Sequence, residues 1–403
     1  MKRNGLSVFA DGVHAGTLAR SDLAADIFLF AYDAECKDEH AVSLTMPVVA
    51  DQYDSMTFLH PVFEMNLPEG ALRHKLELMF SKAVRDFDAL ALLEIVGRSQ
   101  IGRLRYATEG TSLQEVPAEN IEKILAYEGA EALFGSLLER FAAYSGISGM
   151  QPKVLVRDAT PALGRLTHQG ATHIVKSFDP KEYPELAANE FFSMRAAHQA
   201  GLPTAKANLS GNRAILVVER FDIAGDARYL GFEDFCVLSG MRANGRYTGS
   251  YEALAEKVAT FVDPEHHPAA MRQLFGMVAL TCLIGNGDAH LKNFAVLYDA
   301  PGVNVRLAPV YDMLSTTLYQ PKDVLALELD GSKRYPDRKQ IVRFARHSCG
   351  LSNQRAEAAL ADVAQGVRVV LDEMEQQARA QPDFAPCKDR LAKVFAHGLA
   401  RYA

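Results

Sequence analysis

The chain is poor in cysteine, and the five it has (Cys36, Cys236, Cys282, Cys349 and Cys387) are far apart with no C-x-x-C. That spacing excludes a zinc site and a disulfide framework, and it suits a reducing cytosol. Long apolar runs are also lacking. The longest, around residues 277–284, is far below the roughly 20 residues a membrane span needs. The opening MKRNGLSVFADG has basic residues, but its apolar run stops at Asp11, so no signal peptide and a cytoplasmic location are expected. Nor is there an excess of cations: 43 Lys plus Arg face 50 Asp plus Glu, a net charge of -7. Gripping nucleic acid requires clustered cations, so any DNA contact should be local or supplied by a partner. What remains is an ordinary globular composition, 48% hydrophobic and 23% charged over 403 residues, which is about two to three times a typical domain.

The first hundred residues read as β-rich with a helical end. LSVFA, Asp11-Gly12 and VHAGTLA make a hairpin signal, because Asp-Gly supplies the positive φ angles of a type I′ turn. DIFLFAY and AVSLTMPV read as further strands. Pro68-Glu69-Gly70 then opens a helix over ALRHKLELMF, with Leu72, Leu76, Met79 and Phe80 on one face. A second β-to-helix passage covers 144–222: KVLV, a polar turn, HIVKSF, a helix from Pro184 to about Ala200, and the strand AILVVERF. Pro184 can open that helix, Gly201 can cap it and Pro203 forbids its continuation. From about 223 the pattern is mostly helical, including a helix ending in MRQLFGMVALTCLIG and one carrying Val363, Val367, Val370, Leu371 and Met374 on one stripe. The expected fold class is α+β, with a β-rich lobe over 1–222 and a helical lobe over 223–403. A two-lobed enzyme fits that division.

The stretch richest in chemistry is LIGNGDAHLKNFAVLYDAPGVNVRLAPVYDMLST. If FAVLY and VRLAPV pair about a turn near 301, Asn293 lies roughly opposite Val310 and Asp312 falls beside the loop holding Asp288. Phosphoryl transfer needs such a set: one carboxylate for the attacking hydroxyl, and an amide and a second carboxylate for magnesium on the phosphates. Five-residue Asp-to-Asn spacing alone favours a pair of turn caps; the hairpin and Asp312 reverse the reading toward chemistry.

Three further pieces support it. In HIVKSF, Lys176 projects from a strand and can reach phosphates, steadied by Glu185 or, preferably, Glu190 of the next helix. In YSGISGMQPK, Gly146 and Gly149 allow backbone approach to an anion, and Ser145, Ser148 and Lys153 add donors and charge. AILVVERFD stands at the crossover, where a kinase-like linker reads adenine; a buried strand ending in a surface Glu-Arg explains that piece equally well. His266-His267-Pro268 shows no ligand spacing and reads as structural or exposed.

In order, these parts follow a protein-kinase plan, and their wording resembles the HipA family of bacterial toxin kinases. ISGMQPK, HIVK, NEFFSMRAAHQAGL, VVERFD, LIGNGDAHLKNF and PVYDMLS carry the resemblance, and SLTMP and LPEGALRHKL resemble that family's N-terminal region, here 1–108, ahead of a nucleotide-binding part over 144–222. The resemblance implies a serine/threonine kinase using ATP and magnesium, the toxin of a type II toxin–antitoxin pair. It would be restrained by a HipB-like helix-turn-helix antitoxin that carries it to operator DNA, and its protein substrate would belong to the translation machinery, often an aminoacyl-tRNA synthetase.

By matched position the resemblance makes Asp288 the catalytic base, and Asn293 and Asp312 the magnesium ligands. Met150, Gln151, Pro152, Lys153, Val154 and Leu155 would form the loop over ATP, and Lys176 would contact phosphates. Glu219, Arg220 and Phe221 would read adenine, while His290, Leu291, Lys292, Asn293, Tyr311 and Asp312 would line the nucleotide site. Ser148 matches the serine that members autophosphorylate. One departure is visible: MQPK has Pro152 where the best-known members carry glutamate, which removes one amide donor. Two other classes stay open on the residues alone. One is a small-molecule kinase of aminoglycoside or choline type, and the other a catalytically silent co-repressor beside a DNA-binding partner.

Overall fold

The computed structural model describes residues 5–21, 24, 26–81, 87–108, 116–159, 170–178, 181–225 and 228–402. The first four residues, and most of the polar turn expected after KVLV (160–169), lie outside the described residues. The chain forms two compact units, each assembled from separate stretches. The first comprises Met1–Phe178, Asn208–Ala243 and Leu297–Asn304; the second comprises Asp179–Ala207, Asn244–Val296 and Val305–Ala403. The crossover expected near 222 lies inside the first unit. With two five-stranded sheets and a set of long helices, the fold class is α+β, as expected.

The first unit starts with strands β1 (Leu6–Ala10), β2 (Val13–Arg20), β3 (Ile27–Tyr32), β4 (Tyr53–Met56) and β5 (Leu104–Thr108), in sheet order β4-β3-β2-β1-β5. The β1–β2 turn has φ of 51° at Asp11 and 78° at Gly12, the doubly left-handed geometry that Asp-Gly accommodates. Leu6, Val8 and Ala10 alternate inward with period two.

AVSLTMPV does not become a strand; it turns back through a Ser43–Met46 bridge. Its donors go to side chains instead of a ladder. Val42 N–H donates to the Tyr32 hydroxyl, and Leu44 N–H and the Ser43 hydroxyl donate to the buried carboxylate of Glu233 at 2.8 and 2.6 Å. The helix Gly70–Phe80 forms where expected and buries Leu72 and Leu76, but Met79 is exposed.

The second sheet is built from β6 (Ala118–Glu119), β7 (Lys153–Asp158), β8 (His173–Ser177), β9 (Ala207–Leu209) and β10 (Ile215–Glu219), in order β6-β7-β8-β10-β9. Val154, Leu155, Val156, Val175, Ile215 and Val217 are fully buried in the core that both sheets share.

The second unit is helical. Leu186–Gln199 begins two residues after Pro184 and ends before Gly201, whose φ is 74°. It lies against the long helix Asn353–Ala380 so closely that a Cβ on Gly366 would meet the backbone of Ala196 and Ala200. On that long helix Val363, Val367, Val370 and Met374 are buried as the stripe required, while Leu371 is only partly covered. His267–Ile284 is buried almost all round from Gln273 onward and stops at left-handed Gly285, delivering the chain into the polar loop.

Candidate functional site

The loop after Gly285 is held by hydrogen bonds on every side. Asp288 N–H donates to Asn286 Oδ1 at 2.9 Å, Gly287 N–H to Thr316 Oγ1 at 2.7 Å, and the Tyr251 hydroxyl to the Ala289 carbonyl. His290 N–H donates to Asn293 Oδ1 at 3.0 Å. Beyond Asn293 the chain leaves along β11 (Ala295–Tyr298), turns at Ala300–Val303 and returns through β12 (Arg306–Leu307). Ala308 N–H donates to Ala295 O, which is the register that sets Asn293 opposite Val310. Asn293 Nδ2 then donates to Asp312 Oδ2 at 3.3 Å. The hairpin expectation holds to the residue.

Asp312 sits in the left-handed region with φ 56°, a conformation Asp tolerates better than most residues. The segment after it is anchored by Asn189, whose amide accepts from Ser315 N–H and donates to Ser315 O at 2.9 and 2.8 Å. The sequence reading passed over Asn189.

Burial raises the Asp288 carboxyl to about 6, and the neighbouring negative charges of Asp312 and Asp323 push the same way, against the Tyr247 hydrogen bond and Arg246. The side chain still shows 43% of its surface, so the carboxylate is both perturbed and reachable. The Tyr247 hydroxyl donates to Asp288 Oδ1 at 2.6 Å, and burial with that bond raises its own pKa to about 12, so it stays a donor. No motif marks Tyr247; it reaches the site from a loop 41 residues upstream. His290, its Nε2 3.9 Å from Asp288, is lowered to about 4 by burial and by Arg246, which keeps the ring neutral. The Tyr311 hydroxyl donates to Lys292 O. Asp288, His290, Asn293, Tyr311 and Asp312 are thus one cluster within the second unit.

In the first unit, β7 and β8 set Lys153 directly opposite Lys176, both 5% exposed, so two cations share one face of the sheet. Lys153 Nζ folds back to within 2.4 Å of where a Gly149 Cβ would stand. The glycine turn itself is partly internal. Ser145 is fully buried, donating to Phe141 O and accepting from Leu155 N–H at 2.7 and 2.8 Å, so its hydroxyl serves the fold and not an anion. Gly146 is required by the close approach of Gln100. Ser148 points the other way, donating to Glu69 Oε1 at 2.5 Å, and Met150 is exposed.

Arg220 departs from both readings of its segment. It is no surface residue: its guanidinium is wholly buried, paired with Asp222, bonded to Gln100 O and Ala171 O, and stacked on Tyr229. Its N–H donates to Thr172 O. Side chain and amide are spent on the fold, which leaves Glu219 and Phe221 as the outward members of the trio. Glu190 is fully buried in its helix, whereas Glu185 caps that helix in a left-handed conformation.

Residues 145–371 match the HipA-like C-terminal domain and residues 6–107 the HipA N-terminal domain. The chain belongs to the HipA family of toxin kinases. A kinase-named relative, Y4mE of Sinorhizobium fredii, is 29% identical over 341 residues, 78% of each chain. The serine/threonine-protein kinase toxin HipA of Shewanella oneidensis is 27% identical over 285 residues, 63% of each chain. A solved complex of Shewanella HipA with HipB and its operator DNA aligns with a TM-score of 0.71 at 22% identity, covering 98% of this chain and 96% of that one, a likeness of fold. Among the described residues no helix is long and apolar enough to cross a membrane.

Proposed function

We propose that this HipA-family kinase transfers the γ-phosphate of ATP to a serine or threonine of a protein substrate and acts as the toxin of a type II toxin–antitoxin pair. The observation that carries the reading is the Asp288, Asn293 and Asp312 cluster, with Asp288 poised at about 6 and oriented by Tyr247. A base with that pKa is ionised at neutral pH and still accepts a proton from the attacking hydroxyl. Asp288 orients that hydroxyl and takes its proton, and Tyr247 holds the carboxylate to one rotamer. Neutral His290 walls the cluster without adding a competing charge.

The residues fit a magnesium ion. Among the described residues no three His, Cys, Asp or Glu side chains could hold a metal by themselves, but magnesium on nucleotide phosphates takes only one or two carboxylates. Crowding of Asp288, Asp312 and Asp323 is a field a cation relieves. Asn293 and Asp312 would hold it, and it would supply charge neutralisation on the phosphates. Lys153, Lys176 and the turn through Met150, Gln151 and Pro152 would receive the phosphates, Glu190 would steady Lys176, and Glu219 and Phe221 would meet adenine.

The partner would be a HipB-like antitoxin, with operator DNA met through it. The Shewanella HipA solved with HipB and operator DNA supports this, as does the net charge of -7. The protein substrate would lie in the translation machinery, such as an aminoacyl-tRNA synthetase, and Ser148 would be a site of inactivating autophosphorylation. Phosphoproteomic comparison of cells expressing the wild-type chain or Asp288→Asn tests the reading. Phosphosites confined to the wild type support it, and identical profiles with equal growth inhibition would overturn it.

A further inference from the structure

The second unit has a cavity of about 470 Å³ that none of the proposed catalytic groups lines. One wall is the final helix, Ala385–Tyr402, which turns Arg390, Lys393, His397 and Arg401 into it at helical spacing. The facing wall is the end of His267–Ile284 with Thr317, Leu318 and Pro321. A Cβ on Gly398 would lie 1.8 Å from Leu283 O, so the two helices touch backbone to backbone, and Gly285 lines the same cavity as the cations.

Cations at a helix C-terminus often do no more than neutralise its dipole. Here that duty is already discharged, because the Gly285 carbonyl accepts from the backbone N–H groups of Thr316 and Thr317 and from the Thr317 hydroxyl. The cations have few other engagements. Arg390 gives one bond to Leu318 O and lies 5.9 Å over the Tyr319 ring, Arg401 lies 5.1 Å over the Tyr335 ring and contacts the Tyr402 hydroxyl, and Lys393 and His397 make no ion pair or hydrogen bond among the described residues. On another face of the same helix Lys388 is paired with Glu375 and Asp389. The single carboxylate lining the cavity, Asp323, already accepts from the Thr316 hydroxyl and Val324 N–H. The Tyr335 hydroxyl at the wall is buried.

Three permanent cations against one committed carboxylate, beside the apolar surface of Leu283, Leu318 and Val394, define the ligand chemistry. We propose that this cavity binds a small phosphate monoester, its phosphate on the Arg390 and Arg401 guanidinium groups, with Lys393 beside the ester and its organic body against the apolar wall. Arginine forks suit phosphate oxygens, and the volume is that of a small-molecule site. The site stands on the back of the catalytic loop, since Asp323, Thr316 and Gly287 form one hydrogen-bonded chain ending beside Asp288.

The test is labelling of the full chain with pyridoxal 5′-phosphate, whose aldehyde condenses with a lysine amine near its docked phosphate. Borohydride reduction and peptide mass spectrometry then read the sites. Lys393 should label roughly tenfold faster than exposed Lys257. Inorganic phosphate should suppress that excess, as should Arg390→Gln and Arg401→Gln singly. Suppression by adenosine monophosphate at lower concentration than phosphate would identify a nucleotide; equal suppression would place recognition in the phosphate of some other ester. Equal rates at Lys393 and Lys257, or no effect of phosphate on the wild-type chain, would overturn the proposal without any variant having to fold, and would leave the kinase reading untouched.

Discussion

The loop cluster around Asp288 and the glycine turn are equally conspicuous in the sequence as strings of polar residues, yet they are built in opposite ways. Around Asp288 the polar groups Tyr247, His290, Asn293 and Asp312 all belong to the second unit, and they surround a partly open carboxylate. Around residues 144–153 of the first unit, part of the turn is consumed by the fold. Ser145 ties the strand Lys153–Asp158 to Phe141 and Gly146 makes room for Gln100, while Ser148, Met150 and Gln151 keep some exposure. A polar residue near a site is therefore a chemical candidate only after its structural obligations are counted.

The largest effect that would break this contrast is at Asp288. Asp288→Asn should lower phosphoryl transfer on the order of a hundred- to ten-thousand-fold, measured as ATP turnover, while the fold is kept. Because the folded chain holds the Asp288 pKa up at about 6, folding favours the protonated form. The stability this gives is present below pH 4 and lost as pH rises through about 6. The Asn variant should therefore melt higher than wild type at pH 8 and no differently at pH 4. A lower melting temperature at pH 8 would mean Asp288 is structural.

The pH dependence comes next. With the Asp288 carboxylate as the proposed base, kcat/KM should fall about tenfold per pH unit below about 6. A flat profile down to pH 5 would remove Asp288 from the proton transfer. Tyr247→Phe should cost several-fold in turnover and shift the acid limb of that profile upward, because the lost hydrogen bond favoured the ionised form. A loss of rate with an unmoved limb would reduce Tyr247 to packing.

On the other side of the comparison, Ser145→Ala should destabilise by about 1–3 kcal/mol by orphaning the buried Leu155 N–H, read by denaturant melts, with ATP affinity unchanged. Glu69→Gln is the smallest expected change. It keeps an acceptor for the Ser148 hydroxyl but removes the charge that would repel phosphate there, so phosphoserine at 148 should accumulate faster by mass spectrometry with little change in stability. Equal loss of stability and affinity in Ser145→Ala would erase the distinction between the two regions.

Local grammar was enough for much of this protein. Asp-Gly between alternating strands set the first hairpin, Pro and Gly bounded the helix Leu186–Gln199, and the turn through Pro301-Gly302 fixed a register that carried Asn293 to Asp312. Each is decided by neighbours within about twenty residues, where turn geometry and periodicity act directly. What the chain's order could not decide was which donors were already taken. Tyr247 reaches Asp288 across 41 residues, Asn189 clamps Ser315 across 126, and Asp222 lies two residues beyond Arg220 yet binds it only because the guanidinium turns into the core. AVSLTMPV has strand-forming residues, but Tyr32 and a distant Glu233 take the N–H groups that a ladder would need. Hydrogen-bond capacity is finite and is allotted by tertiary contact, so the residue types of a site can be read from sequence while their availability is settled only in the folded chain.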